Sequence, residues 1–145
     1  MLKAPPTARS FTDTGNGSRG QFIPGTPLSQ ATALPASARL IQLTQLGGNT
    51  SGFRTNIGFV NATASPITVQ TRLTSADGFG PLAPHVDTLE PYEFRQDTKI
   101  SWTVGLGDVY DGFAVITTDT PDARFFAYAS VIDNVSGAPV YIPAQ

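Results

Sequence analysis

The chain contains no cysteine. That excludes disulfides, thiol nucleophiles, thiolate zinc centres and iron–sulfur clusters. A single histidine, His85, excludes any site that needs two imidazoles from one chain. Lysine and glutamate are scarce, and charged residues make up only 14% of the 145. The net charge of -2 lacks the basic excess that phosphate contacts demand, so no nucleic-acid partner is expected. The longest nearly apolar run, Phe125 to Ile132, is far too short to cross a bilayer as a helix, so no membrane insertion is expected. The stretch Met1-Leu2-Lys3-Ala4-Pro5-Pro6 lacks the apolar core of a signal peptide.

Glycine (14) and proline (12) punctuate the whole chain, and they do so between short runs rich in Thr, Val, Ile and Phe. No long window carries Ala, Leu, Lys and Glu at helical spacing. The expected class is therefore all-β. The length suits one domain, able to bury about 68–70% of its unfolded surface.

Residues 1–36 are rich in Pro, Ala, Ser, Thr and Gly and read as an extended N-terminal arm or linker. Within it, Arg19-Gly20-Gln21-Phe22-Ile23-Pro24 reads as one short edge strand, since proline suits an edge or a strand end. Residues 37–145 read as a β-sandwich domain. Ile67, Val69, Thr71 and Leu73 alternate with Thr68, Gln70, Arg72 and Thr74, the clearest period-two run in the chain. Phe53 to Val60 alternates in the same way. Arg39 to Leu46 carries apolar residues on both faces. Further strands are expected at Thr88 to Leu89, Tyr92 to Lys99, Ile100 to Val104, Gly112 to Thr118, Arg124 to Asp133 and Ala138 to Ile142. Arg124 to Asp133 is the most apolar and is expected at a central position. Pro139 argues for an edge position of the last strand. The expected core includes Leu40, Ile57, Phe59, Val69, Leu73, Val115, Phe126 and Tyr128 or their strand-mates, since a one-residue slip of register swaps the faces.

Several segments resemble a module that recurs near the C-termini of secreted bacterial proteins. They are Phe53-Arg54-Thr55-Asn56-Ile57-Gly58-Phe59-Val60-Asn61, Leu89-Glu90-Pro91-Tyr92-Glu93, Ala127 through Asn134, and Tyr141-Ile142-Pro143-Ala144, with Gly20-Gln21-Phe22-Ile23-Pro24 upstream. The module is similar to immunoglobulin-like sandwiches that act as non-catalytic appendages. The resemblance implies an immunoglobulin-like two-sheet fold, an extracellular or cell-surface setting, and a binding or structural role. It brings no catalytic motif.

The residues supply no catalytic constellation either. His85 sits in a proline-bounded loop and is expected there as an exposed loop histidine, and no Gly-x-Ser-x-Gly elbow exists to present a serine to it. Glu90 and Glu93 are near in sequence, as are Asp108 and Asp111. A domain this small has little room for the cleft that glycoside hydrolysis needs. No enzyme and no obligatory cofactor are expected. Calcium is a candidate ligand at Asp108, Asp111, Asp119 and Asp122, although the two turns flank one strand and should lie at opposite ends of the domain. Trp102 and Tyr110 are candidate stacking platforms for a sugar ring, against the alternative that Trp102 fills the core. Asn16, Asn49, Asn61 and Asn134 each begin an Asn-x-Ser/Thr sequon and are candidate glycosylation sites.

The arm is the most informative feature of the organisation. A sandwich with an open edge can accept a strand from a neighbour, and Gln21, Phe22 and Ile23 are the residues expected to supply it. Such head-to-tail contacts do not close, so they give filaments. The expected function is thus a non-catalytic extracellular structural or interaction protein. Its expected partner is itself or other extracellular proteins and glycans. The alternative is a carbohydrate-binding accessory module of a secreted bacterial hydrolase.

Overall fold

A computed structural model describes residues 7–47, 50–81 and 83–145. The class is all-β. Ten strands run in chain order as β1 (Thr7–Asp13), β2 (Ser18–Pro24), β3 (Ala38–Gln45), β4 (Phe53–Asn61), β5 (Ile67–Thr74), β6 (His85–Leu89), β7 (Phe94–Asp97), β8 (Val109–Thr117), β9 (Phe125–Asp133) and β10 (Pro139–Pro143). A short helical turn, α1, spans Ile100–Thr103, and a 3-10 turn spans Leu28–Gln30. Strands β1 and β2 form a separate hairpin. The other eight form two antiparallel four-stranded sheets, ordered β10-β9-β4-β7 and β3-β8-β5-β6.

Both sheets bury their inner faces in one core, a sandwich-like arrangement. The first supplies Ile57, Phe59, Phe125, Ala127 and Ala129, and the second supplies Leu40, Leu43, Val69, Leu73, Ala114 and Ile116. The pleat explains the selection, since successive side chains point to opposite faces. In β5 the alternation is strict: Ile67, Val69, Thr71 and Leu73 are buried, while the residues between them are at least partly exposed.

Strands β8 and β9 carry a correction. Val115, Phe126 and Tyr128 were expected in the core, but each is only half-buried. Their neighbours Ala114, Ile116, Phe125, Ala127 and Ala129 point inward instead. A one-residue shift of register moves every side chain to the opposite face. The choice follows from volume. Ala127 pairs with Phe59 and Ala129 with Ile57, so the small residues of β9 sit beside the large ones of β4. Two rows of bulky inward residues would overpack that layer.

Two further departures have local causes. Strand β3 bulges at Gln42, where φ is 58°, and its register against β8 shifts between Leu40 and Leu43. The extra residue lets Leu40, Leu43 and Gln45 all face inward, which strict alternation forbids. Ile100 to Val104, expected as a strand, holds the helical turn α1. Short apolar runs do not distinguish helix from strand by period. Here Lys99 enters in a left-handed conformation, and Gly105 at φ 78° closes the turn.

Asn61 ties two connections together at one end of the domain. It is fully buried. Its Nδ2 donates to the carbonyls of Ser65 at 2.8 Å, Glu90 at 2.9 Å and Leu89 at 3.3 Å. Its Oδ1 accepts from the Thr63 backbone N–H and hydroxyl at 2.9 and 2.7 Å. Asn61 is therefore no glycosylation acceptor, because the amide nitrogen is already committed and out of reach. Truncation by Asn61→Ala should cost about 2–4 kcal/mol, since it orphans several buried backbone groups at once. Urea unfolding measures this; a loss below about 0.5 kcal/mol, within the range of an ordinary surface substitution, would contradict the account.

A candidate binding face beneath the N-terminal hairpin

The same register that buries Phe125, Ala127 and Ala129 turns Phe126, Tyr128, Ser130 and Ile132 outward from the first sheet. Gly58 of β4 lies directly beside Tyr128 in the ladder. A Cβ on Gly58 would stand 2.1 Å from the Tyr128 ring, so only glycine lets that ring lie across the sheet. The ring reaches β7, where the Tyr128 hydroxyl donates to Gln96 Oε1 at 2.7 Å.

Phe94 of β7 stacks on Tyr128 at 6.4 Å between centroids and 7° between planes. Tyr141 of β10 stacks from the other side at 5.5 Å and 28°. Three rings thus form a ribbon across the outer face of the sheet. Burial raises the pKa of both tyrosines, and for Tyr128 the nearby Tyr141 adds to the effect. Both hydroxyls therefore stay protonated and able to donate around neutral pH. A cavity of about 750 Å³ lies over these rings, walled on its other side by Ile23, Pro24 and Thr26 from the foot of the hairpin.

The hairpin itself is barely attached. All seven residues of β1 are exposed, and β2 half-buries only Gln21 and Ile23. Phe11 and Phe22 present their rings to solvent at 63% and 60% exposure. Its turn is local chemistry: Gly15 and Gly17 take positive φ, and the Asp13 carboxylate accepts from the Gly15 N–H at 3.0 Å. Polar contacts among the described residues tie it to the domain. The Ser130 hydroxyl donates to Gln21 Oε1 at 3.0 Å, and Arg19 donates to the Ser136 carbonyl. Gln21, Phe22 and Ile23, expected as a lone edge strand, pair within the hairpin with Ser10, Arg9 and Ala8. β1 had no apolar pattern to announce it, because its residues face water on both sides.

The other sequence candidates fall elsewhere. Trp102 is exposed on α1, not in the core, and the Lys99 ammonium stands 5.1 Å from its ring centre. Tyr110 is exposed on β8. Asp111 lies within β8, and the Asp119 carboxylate accepts a hydrogen bond from Gln70. Among the described residues, Asp108, Asp111, Asp119 and Asp122 gather into no group of three ligand atoms. Asn16 is exposed in the hairpin turn, and Asn49 lies outside the described residues. Asn134 accepts from Arg54 at 2.6 Å and donates to the Ser51 carbonyl at 3.0 Å. His85 opens β6, half-buried, with its Nε2 3.4 Å from Asp87 and 3.6 Å from Asp97. The sequence carries a signal for this placement: His85, Asp87 and Leu89 share the inner phase of a five-residue strand.

Asp133 anchors the β9–β10 turn that meets Arg19. Its carboxylate accepts from the Ser136 hydroxyl and the Val135 N–H, both at 2.8 Å. These hydrogen bonds, the Ser136 one foremost, hold its pKa below the ordinary 3.8. A lowered folded-state pKa adds stability above the unfolded value and loses it as pH falls through the folded one. Asp133→Asn should therefore lower Tm at pH 7 more than at pH 3. Calorimetry at the two pH values checks this, and an equal change at both would contradict it.

Compared with known proteins, the chain matches no family model, no curated protein and no solved structure.

Proposed function

We propose that the chain is a non-catalytic extracellular interaction protein with an immunoglobulin-like domain, assembling through its N-terminal hairpin. The observation that carries this reading is a pair of open strand edges side by side. Strand β2 packs beside β10, yet the hairpin forms a sheet of its own and β10 is the edge of another. Open edges of this kind template pairing with a further strand. Pro139 and Pro143 bracket the β10 edge, leaving Val140, Tyr141 and Ile142 as the segment able to pair without a proline. That matches the three residues Gln21, Phe22 and Ile23 in length.

An isolated two-stranded hairpin is marginal in water, so one that exposes two phenylalanines favours a partner. A second copy satisfies it when the hairpin of one chain reaches β10 of the next. The contact is heterologous and propagates as a filament.

The strand order supports the immunoglobulin-like reading. Setting β6 and β7 aside leaves β3-β8-β5 facing β10-β9-β4. This is the order in which strands B, E, D and G, F, C pair in such sandwiches. Strands β6 and β7 then widen each sheet by one.

The stacked rings of Phe94, Tyr128 and Tyr141 favour a second reading, carbohydrate binding in the cavity above them. A flat aromatic face complements the apolar face of a pyranose.

Gel filtration with light scattering, followed by negative-stain imaging, separates the readings when the full chain is compared with one lacking residues 1–26. Assembly is expected from the full chain only. Monomers from both contradict it. Retardation in gels containing polysaccharide, lost on Tyr128→Ala, would instead establish the second reading.

A further inference from the structure

Strands β6 and β7 follow one another in sequence but belong to different sheets, β6 at the edge of one and β7 at the edge of the other. Where they come together, His85 and Asp87 of β6 meet Asp97 of β7. One ligand atom from each, the His85 Nε2 and a carboxylate oxygen of either aspartate, all lie within 4.8 Å of one another.

Two features set this cluster apart from a solvated acidic patch. The Asp87 side chain keeps only 9% of its surface exposed, and its Oδ2 is buried with no hydrogen-bond donor. Asp97 Oδ2 is likewise buried without a donor. Buried polar atoms are nearly always satisfied, so two orphaned carboxylate oxygens converging on one point call for a ligand. The second feature is spacing. His85 Nε2 stands 3.4 Å from Asp87 Oδ2 and 3.6 Å from Asp97 Oδ2. A tetrahedral cation with bonds of about 2.0–2.2 Å has edges of roughly 3.3–3.6 Å between its ligands.

We propose that His85, Asp87 and Asp97 bind a single divalent first-row transition cation, with zinc as its probe. The mixed set of one imidazole and two carboxylates selects this class. Calcium and magnesium take oxygen ligands and more of them. Arg95 supports the site from behind: it contacts Asp87 Oδ1 at 3.4 Å and Glu93 at 3.1 Å, leaving Oδ2 to face the ion. With ligands on both strands, the ion clamps the two sheets at the edge opposite β3 and β10. Three protein ligands leave the fourth position to water. The site is independent of whether the hairpin assembles.

The test uses the full chain without an affinity tag, stripped by chelator and titrated with zinc in a calorimeter. One zinc per chain is expected, and a hundredfold excess over Kd should raise Tm by roughly 5–10 °C. Calcium and magnesium at the same concentration should not. Cobalt should give the intense visible bands of a tetrahedral centre. Asp97→Asn and His85→Gln should each weaken zinc at least tenfold while the far-ultraviolet circular dichroism stays that of the parent. Asp119→Asn should leave affinity unchanged. No stoichiometric zinc binding, or binding that both ligand variants retain, overturns the proposal and makes the cluster a contact of His85 with its two aspartates that holds no metal.

Discussion

The structure depends first on the ladder between β4 and β9. Phe53 through Asn61 pair without interruption against Asp133 through Phe125. The pairing fixes both faces at once. Inward, it sets the large Ile57 and Phe59 beside the small Ala129 and Ala127, which is how the core fills without overpacking. Outward, it sets Gly58 beside Tyr128, which is how the ring lies flat and meets Phe94 and Tyr141. A slip of one residue would bury the aromatic row and expose the alanines. The aromatic face is in this sense the reverse side of the core.

The margins of the domain are built differently from its centre. On one side, β10 ends its sheet with prolines at both limits, and a loosely held hairpin stands next to it. On the other side, β6 and β7 bring a histidine and two aspartates together between the sheets. Apolar burial holds the centre. Strand edges with open backbone positions mark both margins, apolar at β10 and polar where His85, Asp87 and Asp97 meet.

Much of this was legible in the chain. The all-β class followed from punctuation by glycine and proline, and β5 from its strict alternation. Leu40, Ile57, Phe59, Val69 and Leu73 were expected in the core and are buried there. The face of β9 was not legible, because Phe125 and Phe126 are equally apolar and only the volume of β4 decides between them. The bulge at Gln42 left no composition signal. The short run after Lys99 suits either helix or strand until Gly105 is seen to close it. The aromatic ribbon joins residues from three strands, and the cluster joins two sheets. Such long-range neighbours are set by topology, which a single sequence does not display.

Assembly through the hairpin is the central claim, and amide hydrogen exchange of the full chain across a range of protein concentrations tests it most directly. The account predicts that the outward-facing amides of β2 and β10, those not bonded to β1 or β9, exchange freely when dilute and gain protection together as concentration rises. Protection that is identical at every concentration would contradict it, and would make the hairpin a fixed part of its own domain.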